Sequence, residues 1–140
     1  MKLDVAQSMI AATLAHAVKA KFLPLGVAIL DARGALKAFA AAEGTSLRRA
    51  ELAIGKANGA LALGVGTRGL AKMAVDRPHF IAAATHAAGG SLVPTAGGVL
   101  IRDRAGVLLG AIGVSGDTSD NDEAAALAGI AAVGLEGDTG

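Results

Sequence analysis

The sequence predicts an α+β domain, an antiparallel sheet with helices on its faces, and three observations carry that prediction. Two pairs of short apolar runs flank Asp31-Ala32-Arg33-Gly34 and Asp103-Arg104-Ala105-Gly106, which share Asp-x-x-Gly spacing. Segments of helical periodicity precede, separate and follow these pairs. The chain has 140 residues and a hydrophobic fraction of 53%, enough for one core, so a single domain over residues 1–140 is expected.

Taken in order, Val5, Met9, Ala12, Leu14 and Val18 recur at roughly helical spacing between Asp4 and Phe22, and Pro24 closes that segment. Leu25–Leu30 and Leu36–Ala40 then read as a hairpin, because Asp suits the first and Gly the last position of a type I turn. Ser46–Leu63 reads as the second main helix, with Leu47, Ala50, Ile54, Ala57 and Leu61 along one stripe and Arg49 and Lys56 on a different face. Residues Gly64–Gly98 break into Gly-rich pieces around two short helical stretches, and Asp76 is the expected cap of the second, which contains His79 and His86. Gly98–Ile101 and Val107–Val114 form the second hairpin. The two hairpins share turn chemistry but lie about 70 residues apart, too far for a solenoid repeat. Ser119–Leu135 reads as the closing helix, capped by Thr118 or Ser119, with Asp120, Asp122 and Glu123 opposing the helix dipole in its first turn.

Composition narrows the function. Thirteen Lys and Arg against twelve Asp and Glu give a net charge of +1, too weak a field to gather polyanions. With no Trp or Tyr, stacking platforms for single strands are also missing, so no nucleic-acid partner is expected. The absence of cysteine removes disulfides, thiolate nucleophiles and Cys-based metal sites, and no metal site is expected. The first 22 residues are amphipathic and charged, unlike the apolar core of a signal peptide, and no window approaches ~18 apolar residues, so the expectation is a cytoplasmic protein without a membrane span. A core rich in Ala implies closely packed elements and flat faces that an oligomer can bury.

Four stretches carry a resemblance. They are Val27-Ala28-Ile29-Leu30-Asp31-Ala32-Arg33-Gly34-Ala35-Leu36, Lys56-Ala57, Gly97-Gly98-Val99, and Gly110-Ala111-Ile112-Gly113-Val114-Ser115-Gly116 followed six residues later by Asp122. In order and spacing they resemble the motifs of the GlcG/HbpS-like family, which includes haem-binding proteins and the C-terminal domain of PduO-type proteins. The resemblance spans nearly the whole chain and its last stretch is the most specific. It implies a profilin-like antiparallel sheet of about five strands flanked by helices, homo-oligomers from dimer to octamer, haem as cofactor, and a place beside catabolic operons. Two departures, Leu100 where the family often has Pro and Ala42-Glu43-Gly44 where it often has Met-Asp-Gly, bear on the identity of the ligand.

Several residues are candidates for chemistry. His16 stands on helix one, where the resemblance implies an iron ligand near a subunit interface; a neutral imidazole suits that role, whereas the blander reading is a partly exposed histidine on an amphipathic helix. His79 and His86, seven apart, share a helical face at ~10 Å, too far to ligate one ion together, so each is a single haem ligand, a general acid or base, or an ordinary cap-region or loop-edge side chain. Glu43, Arg49 and Lys56 form the alternative set, a carboxylate facing two bases that can bind an acidic substrate or move a proton, against an ordinary ion-pair network. Lys56 matches a family position. Gly110–Gly116 lacks the Lys-Ser/Thr ending of a phosphate loop; Gly110 and Gly113 suit close backbone approach, and Ser115-Gly116 a turn whose amides can hold a carboxylate or propionate.

Three functional readings follow. One is a haem- or tetrapyrrole-binding oligomeric module, its ligand in a cleft lined by helix one and the Gly-rich segment. Another is a cofactor-independent isomerase or lyase acting on a small carboxylated metabolite through Lys56, Glu43 and a histidine. A third, plainer reading is a partner-binding protein that acts through oligomerisation.

Overall fold

A computed structural model describes all residues from Met1 to Gly140. Helix α1 (Leu3–Lys19) leads into the hairpin β1 (Gly26–Asp31) and β2 (Leu36–Ala41). Helices α2 (Arg49–Leu63), α3 (Thr67–Asp76) and α4 (Pro78–Ala87) follow. A second hairpin, β3 (Gly98–Arg102) and β4 (Leu108–Ser115), leads to α5 (Ser119–Ala132) and β5 (Glu136–Asp138). The five strands form one antiparallel sheet in the order β2-β1-β4-β3-β5, the profilin-like α+β arrangement expected.

Both hairpins close by the chemistry their tetrapeptides predict. The Asp31 side chain accepts the amides of Arg33 and Ala35 at 2.9 and 3.1 Å, and Gly34 at φ +82° donates to the Asp31 carbonyl at 2.9 Å. In the second turn Asp103 accepts from Ala105 and Val107, each at 2.9 Å, and Gly106 repeats the φ of +82°. A positive φ is open to glycine at no steric cost, which explains the Asp-x-x-Gly pattern.

Period-two alternation then sorts the strands' side chains onto two faces. Val27, Ile29, Val99, Ile101, Ile112 and Val114 point towards α1 and α5, where Ala6, Met9, Ala126 and Ile130 complete the larger core. Leu30, Leu100 and Ala111 point the other way, against Ala57 and Ala60 of α2. A satellite cluster of Leu70, Ile81 and Leu92 holds α3 and α4 together.

Four expectations are corrected. The second helix begins at Arg49 and buries Ala53, Lys56, Ala57 and Ala60, so that of the predicted stripe only Ala57 is buried, and Leu47 is 86% exposed. Small side chains win that face because α2 lies directly on β4, where a Cβ at Gly113 would collide with the Ala53 carbonyl. Helix one stops at Lys19 instead of Phe22, since Lys21 turns left-handed at φ +58°. Asp76 is the last residue of α3, and α4 starts from Arg77 without a side-chain cap, with Pro78 in its first turn. The closing helix ends at Ala132, and beyond Gly134 the chain adds the short polar strand β5, paired to β3 and tied by Arg102 to Asp138 at 3.2 Å.

Candidate functional site

The motif residues converge where α2, β4 and the start of α5 meet. Lys56, on the buried face of α2, donates from Nζ to Asp122 Oδ2 and to the Val114 carbonyl, both at 2.8 Å. The two side chains are 4% and 3% exposed. Asp122 reaches this position because Thr118 caps α5, accepting from the Asn121 amide at 3.2 Å, and the second carboxylate oxygen of Asp122 accepts the Asp117 amide at 2.9 Å. Burial pushes the Lys56 pKa below its ordinary 10.5, and the adjoining Asp122 carboxylate partly opposes that shift. Backbone seals the pair: a Cβ at Gly97 would lie 2.9 Å from Lys56 Nζ. No cavity of the chain reaches either side chain.

The proton-transfer set of Glu43, Arg49 and Lys56 is therefore not assembled. Lys56 is paired with Asp122, and Arg49 donates to Ser115 Oγ at 3.0 Å beside it. Glu43 is exposed, forms no ion pair, and lines a separate cavity of about 220 Å³ with Phe22, Pro24 and Ala42. Through its bonds to Asp122 and the Val114 carbonyl, Lys56 links α2 to β4 and α5, and losing either partner of this buried pair would leave the other charge desolvated and uncompensated. Just ahead of α5 the Asp117 and Thr118 amides donate to the carboxylates of Asp122 and Asp117, the Asn121 amide donates to the Thr118 hydroxyl, and Glu123 and Asp120 are held by Arg68 of α3 at 2.9 and 2.6 Å.

The three histidines lie apart from this network. His16 is half-buried near the end of α1, its ring edge-on to Phe22 with centroids 5.7 Å apart, and it forms no hydrogen bond to the protein through either ring nitrogen. His79 and His86 both occupy the continuous helix α4 and are exposed. No group of three or more potential metal-ligating side chains gathers anywhere in the chain.

Apolar concavities flank α1 and α4. One of about 490 Å³ runs between α1 and the edge strand β2, lined by Ile10, Leu14, Ala38 and Phe39 among others. Another of about 410 Å³ lies between the end of α2 and α4, under Phe80, Ala83 and Ala87. The Gly89–Val93 segment lines a third with the start of α2. Helix one and the Gly-rich segment thus sit on opposite faces of the sheet, and no cleft within one chain is lined by both, contrary to expectation. His16 points about 200° round the helix from Leu14, away from the β2 groove.

Asp122 as the partner of Lys56 was not foreseen, although both residues stood in the motif stretches. Asp117, whose carboxylate accepts the Leu23 amide at 2.6 Å, gave no sequence signal. No helix is long and apolar enough to cross a membrane.

Comparisons with known proteins agree with this architecture. Residues 1–131 match the model of a family described as haem degrading protein HbpS-like. A solved PduOC:heme complex is 26% identical, superposes with a TM-score of 0.85, and is aligned over 97% of this chain and 96% of its own. A double mutant of HbpS from Streptomyces reticuli is 26% identical with a TM-score of 0.80, over 94% of this chain and 85% of that one. Protein ORFY of Klebsiella pneumoniae, at 20% identity and a TM-score of 0.85 over 96% and 90% of the two chains, shares the fold. No curated protein sequence matches the chain.

Proposed function

Because the chain belongs to the HbpS-like family, we propose that it is a haem-binding module that works as an assembly of copies, with His16 as the iron ligand. The observation that carries the choice of residue is the state of the His16 ring, half-buried, steadied edge-on by Phe22, and with both nitrogens free of protein partners. A neutral imidazole so placed has a lone pair available for iron. The family membership and the 26%-identical haem complex support the ligand class.

The surroundings of His16 fit a flat apolar ligand. Ala12 and Ala20, one helical turn to either side, leave room beside the ring, and Lys19, on the same face, offers a cation to a propionate. This surface lies outside every cavity of the single chain, so one face of a porphyrin on His16 would stay in water. A second copy laid over it would complete the site, which is why the proposal joins haem binding to self-association. When bound, haem supplies the redox and oxygen chemistry of its iron, while the chain's own residues hold, orient and shield it.

Native mass spectrometry of the haemin-loaded protein tests the combination. The expected result is a defined multiple of the 13.6 kDa chain carrying haemin at a fixed ratio to copies. A monomer that takes up haemin in variable amounts would overturn it.

A further inference from the structure

Helix one ends in a turn that no glycine eases. Lys21 stands at φ +58°, a conformation that residues with a side chain resist. The turn is folded by the Ala20 amide donating to the His16 carbonyl and the Phe22 amide to the Ala17 carbonyl, each at 2.9 Å, and it brings the Phe22 ring back against His16. The next amide, Leu23 N–H, donates to no backbone carbonyl. It donates to Asp117 Oδ2 at 2.6 Å, across 94 residues of sequence.

Asp117 is itself firmly held. Its Oδ1 accepts from the Thr118 amide and from Asn121 Nδ2 at 2.6 and 3.0 Å, and its own amide donates to Asp122, the partner of buried Lys56. Helix α5 does not need the bond to Leu23, because its cap is Thr118. The sole partner of Oδ2 is thus the chain two residues past a strained turn, directly behind the ring that His16 leans on. We propose that Asp117 is a positioning residue for His16, anchoring the Lys21–Leu23 turn so that Phe22 fixes the imidazole; the haem consequence rests on His16 being the ligand.

The test compares Asp117→Asn with Thr118→Ala. Asparagine has one carbonyl oxygen where Asp117 uses two, so the variant must give up either Leu23 or the Thr118 and Asn121 bonds. Thr118→Ala weakens the same helix start without touching Leu23. Two readouts are taken: the His16 imidazole proton shifts in ligand-free protein, which sense the Phe22 ring, and the rate of haemin loss to a trapping apoprotein. Asp117→Asn is expected to move the His16 resonances and speed haemin loss roughly 5- to 20-fold, a change of about 1–1.8 kcal/mol in barrier, whereas Thr118→Ala leaves both near wild type. Adding Lys21→Gly, which lets the turn form without an anchor, is expected to return both readouts towards wild type, and it keeps the test open should Asp117→Asn alone not fold. His16 resonances unmoved by Asp117→Asn, or moved equally by Thr118→Ala, would overturn the proposal. If His16→Ala leaves haemin binding intact, the haem reading fails while the proton shifts still decide the role of Asp117.

Discussion

Burying Lys56 and Asp122 together makes each costly to lose alone. Lys56→Met leaves a desolvated carboxylate with one amide for company and is expected to lower stability by about 3–5 kcal/mol in urea unfolding; replacing both side chains by apolar ones is expected to cost far less. The pair also gives the stability profile a sign. Folding lowers the Lys56 pKa from 10.5, so between the folded value and 10.5 the unfolded chain binds more protons than the folded one. Stability from this group therefore rises with pH across that window and levels off above it. A series of urea midpoints at alkaline pH should show the rise in wild type and its loss in Lys56→Met, and a fall in the same window would contradict the burial account. That Lys56 matters was legible in its motif, but its partner lies 66 residues away, and a non-local pairing leaves no trace in local periodicity.

At the scale of elements, the hairpins were readable because their cause is local: Asp accepts two amides and glycine supplies the positive φ. The face of α2 was misread for a physical reason. Ala and Gly carry little hydropathy, so a stripe chosen by apolar strength picked the larger Leu47 and Ile54, while the sheet selected for closeness. Gly113→Ala tests that closeness, since its Cβ meets the Ala53 carbonyl. The expected result is a loss of about 3 kcal/mol, or failure to fold, read by thermal unfolding. Thr118→Ala, which removes only a cap, is expected to cost about 1 kcal/mol by the same measurement. Strand β5 was invisible because two carboxylates around a glycine carry no strand signal of their own, and β3 dictates their conformation.

For the whole molecule, the order of elements followed from the alternation of two hairpins with helical segments, and up to the closing helix it is the order the structure has. The placement of a ligand did not follow, because helix one and the Gly-rich segment, distant in sequence, are separated by the sheet itself. Leu3, Val18, Leu23, Leu36 and Phe39 remain exposed around α1 and the edge strand β2. Such surface suits contact between copies, and light scattering should report a mass above the 13.6 kDa of one chain.

The most direct test of the account is a haemin titration of wild type, His16→Ala, His79→Ala and His86→Ala, followed through the Soret band. With no Trp or Tyr, protein concentration is set by peptide absorbance or amino-acid analysis. We expect a saturable Soret shift in wild type, His79→Ala and His86→Ala, and its loss in His16→Ala. A weak, unsaturable response in all four proteins, or saturable binding that survives in His16→Ala, would contradict the central claim.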